Sequence, residues 1–472
     1  MDLNFGPWRP DQSAPGSGFA QVAEGVLPVP MNGTVAYAPF PQQVSPTGAG
    51  ALSADPQGLL SVRNPDGTWR VVAATSTTIQ YLQSDYTWAD IETGRSSVTQ
   101  DVSMWVFGKY LLNTDGTNGL KAYDLSLGGT NTAVSGAPAG RSGFSMANVN
   151  FLLGTTSNPR RYQSSNLGSH TAWSGGTADG NSLTDGGDLV CGADLANGFG
   201  VMFQTDMVRS IQFGVGAGAY AVRKVAEGIG CIAERTRVAI NGAVFWWNED
   251  GPWMMTGGAQ PEPIGYGKIE DWAAESIGRN NYATLQAAVD PQRKTVFWRV
   301  DASRVLAYDW FLKEWSVIPA TTVALARIAS PAVTIDTLTG TIDEMTGTID
   351  DLSGGSAPIL GGLNNARKYF TFTGANMAAT IETCAIKSPV TGLYRSVTPV
   401  DDANSGTVQI GVTDRTDGTL TWKAGVSKQA SGRAPIRGRG KVVAFRRNVE
   451  AGATWTYALG VQDIEGTPGG AR

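Results

Sequence analysis

Short runs of three to six β-forming residues, each bounded by Gly, Asn or Asp, recur from about residue 31 to residue 320. Arg70-Val71-Val72-Ala73-Ala74, Phe151-Leu152-Leu153, Ala243-Val244-Phe245-Trp246-Trp247 and Thr295-Val296-Phe297-Trp298 are examples. Runs this short do not present a helical core face; they fit strands joined by tight turns. Composition points the same way. The chain has 60 glycines and 14 tryptophans in 472 residues, 42% apolar residues and only 16% charged ones. An average soluble domain carries roughly 25% charged residues and about 7% Gly. A helical bundle, a coiled coil and a disordered chain are therefore excluded.

One turn recurs. Asn64-Pro65-Asp66-Gly67-Thr68-Trp69 returns 184 residues later as Asn248-Glu249-Asp250-Gly251-Pro252-Trp253, four units of 46. Asp-Gly supplies the positive φ of a hairpin turn, so Gly67 and Gly251 are expected there. Trp88, Trp173 and Trp315 close other runs at spacings near two and three such units. Repeats of 40–50 residues with about four strands each indicate a β-propeller. The expected architecture is all-β: a propeller of roughly six blades over 31–320, preceded by an extended Pro-rich arm at 1–30. A linker at 321–360 and a smaller sandwich-like β domain at 361–472 follow. Residues 268–277 break the pattern, with Ile269, Trp272, Ala273 and Ile277 on one helical face. Residues 334–354 hold three heptads, Thr-Ile-Asp at the head of each, read as a repetitive linker or loop with a short oligomer-forming helix as the alternative.

Several chemistries are excluded by counting. His170 is the single histidine, and Cys191, Cys231 and Cys384 are far apart without a C-x-x-C. No zinc site built on several imidazoles fits, and the cysteines read as small buried thiols. His170 reads as a loop or core residue. The Glu249-Asp250, Asp350-Asp351 and Asp401-Asp402 pairs lie in turn-like stretches and read as turn residues. Gly214-Val215-Gly216-Ala217-Gly218-Ala219 matches a dinucleotide fingerprint but is followed by another strand-like run, so a hairpin loop is expected. The Asp-Gly-x-Trp turns lack the residue that sialidase Asp boxes carry between Asp and Gly. No catalytic, cofactor or metal site is expected. Neither a signal-like start nor an apolar run of spanning length is present, so no membrane anchor is expected.

Net charge is −5, which gives no global positive field. Against that background Arg433, Arg437, Arg439, Lys441, Arg446 and Arg447 form the strongest charge feature. It is suited to a neighbouring subunit's acidic groups or to phosphates.

Several stretches taken together resemble one family. Val244-Phe245-Trp246-Trp247-Asn248-Glu249-Asp250-Gly251-Pro252-Trp253, then Pro263-Ile264-Gly265 and Ile269-Glu270-Asp271-Trp272, are similar to a run in the packaged-DNA stabilisation proteins of short-tailed phages, the tail hub or nozzle proteins. Asp290-Pro291-Gln292-Arg293-Lys294-Thr295-Val296-Phe297-Trp298-Arg299, Leu306-Ala307-Tyr308-Asp309-Trp310 and Glu314-Trp315-Ser316 continue it. Gly136-Ala137-Pro138, Arg161-Tyr162-Gln163-Ser164-Ser165 and Thr171-Ala172-Trp173 fit its middle. The resemblance covers roughly 50–320 and rests on order and spacing; Trp246-Trp247 and the heptads have no counterpart in it. It implies a non-enzymatic virion protein, assembled in the host cytoplasm and resident in the tail. A homo-hexamer would dock below the portal on the head–tail adaptor ring, contact tail needle or fibre proteins, and surround the genomic DNA during retention and ejection. A glycan-binding or glycan-processing tail propeller, and another minor virion structural protein, are the alternatives.

Overall fold

Consecutive bulky residues in one strand need apolar partners on both faces of the sheet, and neighbouring blades supply them. A computed structural model describes residues 2–12, 14–214, 220–328, 358–415 and 418–468. In the strand Ala243–Asn248, Trp246 packs on Phe203 at a ring-centroid distance of 4.9 Å, while Trp247 turns the other way onto Tyr282 and Trp298 at 4.9 and 6.2 Å. Both tryptophans are fully buried. Phe297 and Trp298 likewise enter two different cores, as do Leu111 and Leu112. Sheets buried on both faces read as continuous apolar runs rather than alternating ones.

The chain is a β-propeller. Five antiparallel four-stranded meanders, 58–92, 103–133, 140–182, 189–227 and 238–263, form blades 1 to 5. Blade 6 is the meander 286–319, whose outer strand continues into a further sheet. Thr322–Ile328, Ile359–Asn364 and Tyr369–Asn376 form blade 7, completed by Pro41–Val44 as its outer strand. Six sheets of the ring thus stand free and the meander at 286–319 fills the seventh place. The seven inner strands touch in cyclic order, and an apolar core fills each junction between blades.

The ring meets the roughly six blades expected, as six free sheets with the meander 286–319 beside them, although the turn spacing that suggested the number does not measure it. The Asn64–Trp69 turn joins the first and second strands of blade 1, whereas the Asn248–Trp253 turn joins the second and third strands of blade 5. The two copies are not equivalent, so their spacing is not a whole number of blades. Inner strands start at intervals from 36 residues (Gln286 to Thr322) to 49 (Gly140 to Leu189). Gly67 and Gly251 do have positive φ, 90° and 136°.

Two boundaries also move. Residues 322–328 and 359–376 belong to blade 7, not to a linker and a second domain. The heptad residues 334–354 lie outside the described residues. The C-terminal unit begins at Ala379–Glu382 and is one bent sheet. Its long strand Gly438–Val449 pairs with Thr407–Thr413 on one side, and with Ala379–Glu382 and then Ile386–Asp401 on the other. Val397, Val408, Ile410, Val443, Phe445 and Val461 fill its core.

The arm does not extend toward a neighbour; it folds onto its own chain. Val22–Glu24 bridges the two units, parallel to the blade 6 strand Glu314–Pro319 and antiparallel to Ala379–Glu382. Phe5 and Trp8 are buried, and Trp8 meets Trp272 edge to face at 5.2 Å. The helix Glu270–Ser276 buries Ala273, with Ile269 and Ile277 buried at its ends. Its first amides, of Asp271 and Trp272, donate to the Asp11 carboxylate at 3.0 and 2.9 Å. The arm is short of apolar residues because it needs only a few well-placed ones.

Candidate functional site

The basic cluster divides into two parts. From residue 433 to 442 the chain alternates exposed and inward positions: Arg433, Arg437, Arg439 and Lys441 face solvent, while Ala434, Ile436, Gly438, Gly440 and Val442 face inward. Alternate strand residues stand roughly 6.5–7 Å apart on one face. Arg437, Arg439 and Lys441 therefore form a basic stripe on a rigid strand, with no ion pair among the described residues. Arg433 lies 3.6 Å from Glu465, and both are exposed.

Arg446 and Arg447 do not belong to that stripe. Arg446 binds Glu382 through Nε and a terminal nitrogen at 3.0 and 2.8 Å, and its guanidinium lies 4.0 Å over the Trp422 ring. Arg447 is fully buried, donating to both Asp401 oxygens at 2.9 and 3.2 Å and to the Ser405 carbonyl at 3.1 Å. Lys428 shares Asp401 at 2.8 Å. These two arginines staple the C-terminal sheet and are unavailable to a partner. The acidic residues of the heptad stretch, Asp336 to Asp351, which would be one source of such carboxylates on a neighbouring subunit, lie outside the described residues.

The other flagged residues take structural places. His170 stacks on Tyr110 at 3.8 Å in a loop of blade 3, and partial burial holds its imidazole below the usual range. The three cysteines are buried and unbridged. Asp250 pairs with Arg279 at the surface, and Asp402 accepts from the amides of Thr456 and Tyr457. The strands on either side of residues 215–219, themselves outside the described residues, pair antiparallel as a hairpin, Phe213 opposite Tyr220. A βαβ dinucleotide site does not form there.

A second constellation, not read from the sequence, occupies one mouth of the propeller channel. Gln57, Leu59, Asp101, Met104, Glu234, Arg235, Arg237, Val289 and Leu325 are among the residues that line a cavity of about 300 Å³. Glu234–Thr236 is a single helical turn between blades 4 and 5, and it carries the charges to the axis. Arg235 Nε donates to Asp101 at 2.5 Å. Glu234 accepts from Ser103 Oγ at 2.6 Å, and its oxygen lies 3.7 Å from Arg237. Burial pushes the Glu234 carboxyl above the usual carboxylate range, against the opposing pull of Arg237 and Ser103. Two buried atoms here lack a hydrogen-bond partner: Arg237 Nε and Gln57 Oε1. The lining comes from five segments between 56 and 327, so its proximity is invisible in sequence. The signal available was Glu234-Arg235-Thr236-Arg237, three charges in four residues of a charge-poor chain.

No family model matches the chain, and no curated protein does. Among solved structures it is similar to PorZ, an essential bacterial surface component of the type-IX secretion system of Porphyromonas gingivalis. That match has 11% identity and a TM-score of 0.38, covering 59% of this chain and 35% of that one. The chain thus spans about a third of PorZ. U3-55K matches at 12% identity and a TM-score of 0.40, over 61% of this chain and 90% of that one. The computationally designed Ika8 protein matches at 11% and 0.35, over 58% and 89%. Likenesses this loose carry no weight for function.

Proposed function

We propose that the chain is a structural protein of a short-tailed phage virion, a tail hub or nozzle subunit. On this reading it forms a homo-hexameric ring in the tail below the portal and adaptor, holds packaged DNA and forms its exit path. One observation carries the reading. The segments that resemble that family, dispersed between 244 and 316 in the sequence, meet in a single core. Phe245, Ile264, Ile269, Trp298, Tyr308 and Trp315 join there with Phe5, Trp8 and Ile381 of the arm and C-terminal sheet. These residues of the 244–316 stretch thus sit where propeller, arm and C-terminal unit pack together, a joint of the kind a ring subunit under DNA pressure requires. The stripe Arg437, Arg439, Lys441 is assigned to carboxylates of the next subunit, with DNA phosphates as the competing partner. The adaptor ring and the needle or fibre proteins are the further partners, and the protein carries no catalysis.

A particle reconstruction, combined with the double variant Arg437→Glu, Arg439→Glu, tests this. Both side chains are exposed, so the variant's stability should stay within about 0.5 kcal/mol of the parent. The expected result is six copies on the tail axis and loss of ring assembly in the variant. Any other symmetry or position, or release of sugar from host polysaccharide by the purified protein, overturns the nozzle reading. Intact assembly with altered DNA retention moves the stripe to the phosphates.

A further inference from the structure

We infer that the exposed stripe Arg437, Arg439 and Lys441 is the docking surface for this chain's own acidic segment, residues 334–354. The inference rests on the assignment of the stripe to carboxylates made above and names their source. On that reading the contact runs between neighbouring copies.

Three observations carry it. The first is where the charge lies. Residues 329–357 hold Asp336, Asp343, Glu344, Asp350 and Asp351 and no Lys, Arg or His. These five carboxylates equal the net charge of the whole chain, −5, so the rest of the molecule is neutral on balance. The excess negative charge is therefore massed in one segment, where it repels itself and favours a basic partner.

The second observation is that the stripe's cations are free while their neighbours are taken. Arg446 holds Glu382, Arg447 and Lys428 share Asp401, and Arg433 stands near Glu465. Arg437, Arg439 and Lys441 are exposed and have no ion pair among the described residues. Surfaces of opposite sign attract and fix each other's register.

The third observation is an apolar match, which favours the segment over a phosphate backbone. Each heptad sets an isoleucine directly before its carboxylate: Ile335-Asp336, Ile342-Asp343 and Ile349-Asp350. Beside the stripe, Leu393 pairs across the strands with Arg439 and so stands on its face, and Val390 is 51% exposed in the irregular stretch between Lys387 and Gly392. Phosphates would answer the cations and leave these side chains wet; Ile-Asp answers both. Reach is sufficient. Ile328 and Ile359 pair on blade 7, and residues 329–343 extend up to about 50 Å from there. That is about twice the radius of gyration, roughly 23 Å, of a compact chain this long.

Carbodiimide coupling of the purified full chain is the test. The reagent activates a carboxylate, a touching amine displaces the activated oxygen to form an amide, and the oxygen leaves as the urea. Lys441 is the stripe's amine. The expected product joins Lys441 to a carboxylate between Asp336 and Asp351, and falls by about fivefold or more in roughly 1 M salt. It should fall likewise in the variant Arg437→Glu, Arg439→Glu. Adding Asp343→Lys and Glu344→Lys to that variant should restore coupling between positions 343–344 and 437–439. A one-to-one mixture of isotope-labelled and unlabelled chain locates the contact. Mixed pairs place it between copies, as the proposed ring needs. Same-copy pairs alone uphold this inference and overturn the next-subunit assignment. Coupling of Lys441 only to carboxylates outside the segment, such as Asp414 or Glu465, overturns the inference. So does no coupling, or coupling that neither salt nor charge reversal changes.

Discussion

At the scale of single residues, two features set measurable costs. Gly251 has φ 136° and nothing within 4 Å of where a Cβ would stand, so its requirement is purely conformational. Gly251→Val is expected to destabilise the protein by about 1–2 kcal/mol, read as a lowered urea midpoint at unchanged slope. The second feature is the ion network between blades 1 and 2. Arg95 is buried and bound to Glu92 at 2.9 Å and Asp115 at 2.5 Å, with Asn113 also accepting from it. Burial pushes Asp115 up, but the amides of Asn118 and Thr117 and the charge of Arg95 hold its carboxyl below the usual range. Glu92, also lifted by burial, is held down by Lys121, Asn131 and Arg95. Groups depressed in the folded state stabilise it fully above the ordinary carboxylate pKa, about 4. That stability is lost as pH falls through the depressed values. Arg95→Met should cost about 3–5 kcal/mol at neutral pH, because buried Asp115 loses its cation and Glu92 is left with Lys121 alone. The gap from the parent should narrow in denaturation series carried below pH 4 or so; a constant gap would show that the network contributes packing only.

At the scale of elements, the helix Glu270–Ser276 depends on a residue far from it in sequence. Its first amides are satisfied by Asp11, so Asp11→Ala should cost about 0.5–2 kcal/mol and loosen the arm, seen as faster amide exchange at Asp271 and Trp272. The helix itself was legible, because Ile269, Ala273 and Ile277 keep their period; its cap was not, because the partner is more than 250 residues away. Strand character was legible in the paired bulky residues Trp246-Trp247 and Phe297-Trp298, and the turn glycines in Asp66-Gly67 and Asp250-Gly251. The exact blade interval was not, since a turn of identical type serves two different strand pairs. The basic cluster was legible as charge, but which arginines are buried depends on what covers each stretch of the strand: Arg447 meets Asp401 while Arg439, eight residues earlier on the same strand, faces water. The channel mouth was illegible because only ring closure brings Gln57, Asp101 and Glu234 together.

For the whole molecule, propeller and C-terminal unit share hydrogen bonds through Val22–Glu24, so they should unfold together. Deletion of residues 1–44 removes that bridge, the outer strand of blade 7 and the pairing of Val26–Met31 with Thr34–Pro39. The truncated chain should not give a single cooperative transition in calorimetry, whereas the full chain should give one. The same arrangement constrains how the protein is made. The first forty-four residues leave the ribosome before any of their partners in 314–319, 369–382 or 458–461 exist. Blades 1 to 6 can order as they emerge, but the circle stays open until blade 7 has been translated. An early segment must therefore wait, unpaired, for nearly the whole of synthesis. Final closure is then a late, slow step of high contact order, and the stage at which misassembly between nascent copies is most exposed.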